Sequence, residues 1–389
     1  MGMTPPVPST PTRPTWVEIS LPQLAENYRV IRNHVGPERA VMAIIKADAY
    51  GHGLVEVAKT LAGLGVDWFG VTSADEGVEL RQQGISQPIL LLTGFWEGEQ
   101  SALTDFDLVP AVYSEDQITA LESWGQRSGK RIPFHLKVNT GMGRLGIHWQ
   151  EVDSFLQTYR RMSHAEMEGL FTQFSAAEDF TNRQTEEQEE RFQAVVEALG
   201  RAGIQPRYIH QANSAAIVSR PETWGNMVRP GLLLYGYQLP PRIPEGSAAP
   251  ACCSLPVREI LTFKTKVISV KEVPAGIALG YGGRYITPRP SRIATIPAGY
   301  ADGLDRRLSN RGHVVICGQC APIVGNISMD LTLLDVTEIP QLAVGEEVIL
   351  IGRKGACSVT ALELAEMTGT IPYEILCGIG KRVPRRYLR

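Results

Sequence analysis

The sequence predicts an α/β fold: a (β/α)8 barrel followed by a C-terminal, mostly β domain. Three observations carry this. Eight short apolar runs recur between residues 41 and 236. Polar stretches of helical period separate them. Past residue 256 the alternation stops, and short β-like segments follow one another across turns.

In chain order the runs are 41–46, 67–73, 88–94, 108–114, 132–138, 167–173, 207–213 and 228–236. Helical patterns fill 54–64, 75–84, 115–127, 150–162 and 183–203. Continuous apolar runs alternating with helices predict a parallel sheet covered on both faces. Eight such units in this length fit a closed, TIM-like barrel better than an open doubly wound sheet. The segment "LPPRIPEGSAAPACCSLP", 239–256, is rich in Pro and Ala and reads as a linker. Strand-like segments follow at 260–270, 291–297, 313–317, 322–327, 331–335 and 346–351, with one good helix signal near 360–368. The expected domains are a disordered tail over 1–15, a barrel over 16–238, a linker over 239–256 and a β domain over 257–389.

The chain has 389 residues, 43% apolar and 20% charged, with Lys+Arg 38 against Asp+Glu 41. This is ordinary globular composition. A net charge of −3 gives no reason to expect nucleic acid or an anionic membrane as partner. No apolar run approaches the ~20 residues of a membrane span. The Pro- and Thr-rich start, "MGMTPPVPSTPTRPT", has no apolar signal region, so a cytoplasmic location is expected. Of the six cysteines, Cys317 and Cys320 form "CGQC", with redox or zinc spacing. With no second such pair in evidence, two neighbouring buried thiols in a reducing compartment are expected, and no metal.

In a barrel, residues at the C-terminal strand ends line the active site. Here they are Lys46, then Lys137 leading into a loop with Arg144, then Gln173, Asn213 with Ser214, and Arg229 with Gly231. The pocket they predict is cationic, suited to a phosphate and a carboxylate. A lysine ending an apolar strand could simply reach back to solvent. A desolvated lysine is also the nucleophile of Schiff-base chemistry. Barrels often bind phosphate after strands seven and eight, where this chain offers Ser214 and the Gly231 backbone. Lysine and phosphate site together point to pyridoxal 5'-phosphate.

"AIIKADAYGHG" (43–53) resembles the lysine motif of the alanine racemase family. "KVNTGMGRLG", "HQANSAA", "NMVRPGLLLYG", "ALGYGGRY", "IPAGYADG", "NISMD" and "IPYEILCGIGKRVPRRY" resemble its other signatures, in order. The resemblance runs from about Trp16 to the C-terminus. It implies a barrel plus a β domain, with a strand near 16–20 joining the latter. It also implies a homodimer with shared active sites. The implied reaction is interconversion of L- and D-alanine, supplying D-alanine for peptidoglycan.

Carried onto this chain, the resemblance gives Lys46 the cofactor. Tyr50, Ser214, Gly231 and Tyr373 fall at the phosphate end, and Asn213 also binds the cofactor. Arg144 steers the substrate carboxylate, with Lys137 close by. Tyr281, Met329 and Asp330 come from the second subunit, and Tyr300 lines the mouth. Arg229, backed by His210, faces the ring nitrogen; arginine offers only donors, so that nitrogen stays unprotonated. Inversion at a carbon needs a base on each face, and Lys46 and Tyr281 supply them; both begin near pKa 10 and must be lowered. Gln173 stands where the family commonly has a histidine beside the catalytic tyrosine, and Asn139 where it often has aspartate. Glutamine carries no charge, so lower turnover or a more alkaline optimum is expected. The alternatives are a racemase of serine or basic amino acids and a decarboxylase of the same architecture. The latter usually has a cysteine-aspartate segment and a glycine-triplet phosphate loop, and neither is evident here.

Overall fold

The eight apolar runs form eight parallel strands in a computed structural model that describes residues 13–247 and 254–389. They are Ala40–Ile44, Trp68–Val71, Ile89–Leu91, Leu108–Val112, Ile132–Asn139, Ala165–Phe171, Tyr208–His210 and Met227–Val228. From the first to the seventh each pairs in parallel with the next, and Met227–Val228 pairs with Ala40–Val41. The seventh and eighth strands lack a regular ladder. Asn226 N–H donates to Ile209 O at 3.2 Å and Arg229 N–H to Ala212 O at 3.0 Å, so the barrel is nearly closed.

Helices cover this barrel. Leu54–Gly63, Ala74–Gln82, Glu115–Ser128, Val152–Tyr159 and Gln184–Arg201 lie where the helical period predicts them. Ser214–Ser219 begins where a helix start is expected, and Leu21–Val35 and Gln100–Asp105 are additional. Strand residues such as Val41, Phe69, Leu90, Ala111, Leu136 and Leu170 are fully buried. This is the continuous apolar burial of a parallel sheet covered on both faces.

The chain divides into two compact units. One comprises Pro22–Ala49 and Gly53–Glu259. The other comprises the described residues up to Leu21, then Tyr50–His52 and Ile260–Arg389. The second unit is a ten-stranded sheet. Within it Thr15–Ser20 pairs antiparallel with Leu261–Lys266 and parallel with Arg385–Leu388. A second short helix, Pro372–Cys377, follows Ala361–Thr368. The expected tail lies outside the described residues up to residue 12, as do residues 248–253 of the expected linker.

The cysteine expectation is corrected. Cys320 is joined to Cys357 in a disulfide, and Cys317 is an exposed free thiol. Sequence proximity misleads here because Cys317 sits at φ 51 in the tight turn between His313–Ile316 and Gln319–Val324. The partner of Cys320 arrives from another hairpin.

Candidate active site

Lys46 follows the first barrel strand directly. The strand end is held on both sides. Ile44 N–H donates to Pro230 O at 2.9 Å, Ile45 N–H to Gly70 O at 3.0 Å, and the Tyr235 hydroxyl to Ile44 O at 3.0 Å. Lys46 opens a helical turn, Lys46–Gly51, in which Ala47, Asp48, Ala49 and Tyr50 have φ of 55, 54, 53 and 57. L-residues avoid this left-handed region, at a cost of roughly 1–2 kcal/mol each. The surroundings impose it: Ala47 N–H donates to Glu76 Oε1 at 2.6 Å, and Ala49 N–H to Ile45 O at 2.8 Å. Such strain concentrates at functional sites.

Lys137 lies two residues before the end of the fifth strand, buried, with Nζ donating to Leu92 O at 3.2 Å and lying 5.3 Å from the Phe171 ring centre. Burial, then Arg144, Arg229 and Lys46, pull its pKa from 10.5 down to about 7. Lys137 therefore feels three other cations at this end of the barrel. Arg144 itself is exposed on the following loop. Asn139 accepts from Gly141 N–H at 3.2 Å and Gly143 N–H at 2.9 Å, which shapes that loop. An uncharged amide oxygen suffices for this.

Arg229 is 3% exposed and its donors are taken up from several sides. Nη1 donates to His210 Nδ1 at 2.9 Å and His210 O at 3.0 Å. Nη2 donates to Thr172 O at 2.8 Å, Gln173 Oε1 at 3.1 Å and Gln211 O at 3.3 Å. Burial lowers its pKa to about 9, which leaves it charged at neutral pH. Gln173 is thus a partner of Arg229, a contact not anticipated from the sequence. Phe171 stacks flat on His210, with ring centres 4.9 Å apart.

Sequence reasoning missed His135. Its Nδ1 lies 2.8 Å from His210 Nε2, extending the line from Arg229 into the barrel interior. The signal was available: His135 and Lys137 stand two apart on one strand and so point to the same side. Gly169 makes the room, since a Cβ there would meet the His135 ring at 2.4 Å.

Ser214 starts the helix Ser214–Ser219, and Asn213 caps it by accepting from Ala216 N–H at 3.0 Å. Ser214 Oγ accepts from Gly231 N–H at 2.9 Å and Leu233 N–H at 3.3 Å. Two backbone donors and one hydroxyl thus converge where the sequence predicted the phosphate.

The other unit holds the remaining predicted residues. Tyr50 is buried with its ring centre 5.7 Å from that of Tyr373. Burial, then Tyr373 and Cys377, push the Tyr50 pKa well above the ordinary value, so its hydroxyl stays protonated. Gly51 approaches the helix of Tyr373 so closely that a Cβ would meet Leu376 O at 2.6 Å; its φ is +80. Tyr281, 76% exposed, lies between the paired segments Ala278–Leu279 and Tyr285–Ile286. It borders an open groove of about 560 Å³ with Asn326, Ser328 and Leu331. Asn326 Nδ2 donates to Tyr281 O at 2.7 Å. Tyr300 N–H donates to Ser328 O and Ala301 N–H to Met329 O, both at 3.1 Å. Asp330 accepts from Arg382 Nη2 at 2.7 Å. The buried Asp302 holds the same Arg382 at 2.8 Å and Arg13 at 2.6 and 2.8 Å. The segment 326–330 thereby gathers Tyr281, Tyr300, Met329 and Asp330.

Residues 19–239 match the family "Alanine racemase, N-terminal domain", and residues 260–387 match "Alanine racemase, C-terminal domain". An alanine racemase of Halothermothrix orenii is 41% identical over 376 residues, covering 97% of both chains. The solved alanine racemase of Clostridium difficile 630 superposes with a TM-score of 0.87 at 35% identity, covering 97% of both chains. That of Bartonella henselae, solved with covalently bound pyridoxal phosphate, gives 0.85 at 30% identity, covering 97% of this chain and all of that one. With two matched domains in order and such relatives along nearly its whole length, this chain belongs to the alanine racemase family, isomerases that interconvert L- and D-alanine with pyridoxal phosphate.

Proposed function

We propose that the chain works as a homodimeric, two-base alanine racemase in which Lys46 holds pyridoxal phosphate. The observation that carries this reading is Lys46 at the end of the first barrel strand, close enough to Lys137, with Arg229 and Arg144, to lower its pKa. The residues fit the cofactor by their chemistry: a cluster of cations suits its phosphate, and Gly231 N–H and Leu233 N–H, which here donate to Ser214 Oγ, would turn with that hydroxyl to an anion. Ser214 and Gly231 are assigned to the phosphate, and so are the hydroxyls of Tyr50 and Tyr373. Asn213 acts through the cap it gives Ser214.

Pyridoxal phosphate bound there would supply the electron sink for the pair left when the α-proton departs. Arg229 offers only donors, so it favours an unprotonated ring nitrogen and a restrained electron sink, which disfavours side reactions. Lys46 moves a proton at one face of the α-carbon. Tyr281 of the second subunit serves the other face, with Met329 and Asp330 beside it. Support for that assignment is exposure: a general base open to water lacks the exclusion its work requires, and a second copy would supply it. Arg144 orients the substrate carboxylate, and Tyr300 lines the approach. Among the described residues no helix is long and apolar enough to cross a membrane. We assign the activity to the cytoplasm and its product to peptidoglycan.

The test is racemisation of L-alanine by the purified protein, with serine and lysine in parallel, and sedimentation to count subunits. Lys46→Ala should abolish both the yellow colour and turnover. Tyr281→Phe should keep the colour and lose about 10²–10⁴-fold in rate. Growth of a racemase-deficient bacterium without D-alanine tests the cellular role. Full activity in Lys46→Ala would overturn the lysine assignment.

A further inference from the structure

His313, Cys320 and Cys357 place a ring nitrogen and two sulfurs within 4.8 Å of one another. They come from three strands, His313–Ile316, Gln319–Val324 and Cys357–Val359. The register explains the meeting. Cys320 stands opposite Val315, and His313 lies two residues from Val315, so both occupy one face of the hairpin. Cys357 comes from another direction. Strand Glu347–Lys354 pairs with His313–Ile316, then turns back so that Cys357 pairs with Lys354. The His313 Nε2 lies 3.3 Å from Ser358 O. A carbonyl only accepts, so Nε2 carries the proton and Nδ1 keeps its lone pair. Metal-binding imidazoles are held by this kind of contact.

We propose that, when the Cys320–Cys357 disulfide is reduced, these three side chains bind one Zn²⁺ ion, with water in the fourth position. A dithiol reductant breaks the S–S bond, gives up two electrons and two protons, and becomes a disulfide itself. Zn²⁺ then replaces the two thiol protons, which pass to solvent. Zinc holds thiolate at about 2.3 Å and imidazole at about 2.0–2.1 Å, so tetrahedral ligand atoms stand about 3.6–3.8 Å apart. With the three ligand atoms within 4.8 Å of one another, reaching that spacing takes a shift of about 1 Å by the ring and separation of the two sulfurs. Exposed Cys320 leaves the ion a route in, while Cys357 is buried behind it. Disulfide and zinc exclude each other, so the site is gated by redox state. Cys317 belongs to neither.

The experiment uses the full-length protein, reduced with dithiothreitol, freed of it under nitrogen and titrated with Co²⁺ as a coloured probe. One equivalent should produce a sulfur-to-cobalt charge-transfer band and tetrahedral visible bands, both removed by stoichiometric Zn²⁺. Cys320→Ser should abolish the charge-transfer band, His313→Ala should weaken binding at least about tenfold, and Cys317→Ser should change nothing. Unreduced protein should bind no cobalt. The proposal is overturned if the reduced protein gives no such band, if the band survives unchanged in either Cys320→Ser or Cys357→Ser, or if it disappears in Cys317→Ser.

Discussion

His210 Nε2 lies 2.8 Å from His135 Nδ1, and the proton between them belongs to His210. Arg229 decides this. Its Nη1 reaches His210 Nδ1 at 2.9 Å, and a guanidinium only donates, so that nitrogen accepts. The proton of His210 must then sit on Nε2, where it donates to His135. His135 in turn carries its proton on Nε2. One buried cation fixes the tautomers of two rings, and neither ring offers Arg229 a competing proton.

Both rings titrate well below the ordinary histidine value of 6.5, through burial first and then Arg229; His135 is lowered to about 3. Between about pH 3 and 6.5 the unfolded chain binds protons that the folded chain refuses. Stability therefore falls as pH falls through that window. His135→Asn should flatten the fall of the urea midpoint between pH 6.5 and 4 relative to the parent. Parallel curves would show that His135 is not held neutral.

Lys137 behaves in the opposite part of the scale. Its folded pKa of about 7 lies below its ordinary 10.5. The folded state disfavours the charge, so the penalty is fully present below pH 7 and is relieved as pH rises toward 10.5. Lys137→Met should raise stability at pH 7 and remove the rise between pH 7 and 10. Thermal midpoints across that range decide it.

Gln173 donates from Nε2 to Phe174 O at 3.1 Å and accepts from Arg229 at 3.1 Å. It therefore cannot relay a proton. Gln173→His should raise the racemisation rate or move its pH optimum toward neutrality. An unchanged profile would mean that glutamine imposes no cost here.

Ala47 is exposed, with φ 55. Glycine tolerates that conformation freely, so Ala47→Gly should stabilise the protein by about 0.5–1 kcal/mol. Ala47→Val should destabilise it. Denaturant midpoints of the two variants should move in opposite directions.

The barrel and its lysine were legible because they rest on local period. Apolar runs mark strands, helical spacing marks their crossovers, and the residues at or just past the C-terminal end of each strand report what the barrel mouth presents. Lys46, Lys137, Ser214 and Arg229 follow from that rule. The His135–His210 pair does not, since its two members lie 75 residues apart and meet through the room left by Gly169. Nor does the left-handed turn after Lys46, because alanine and tyrosine disfavour it and the hydrogen bonds to Glu76 Oε1 and Ile45 O impose it. The Cys320–Cys357 pairing hid behind the nearer Cys317 for the same reason. Period is a property of neighbouring residues and survives in a string of letters; these contacts depend on register between separate strands, which exists once the chain has folded.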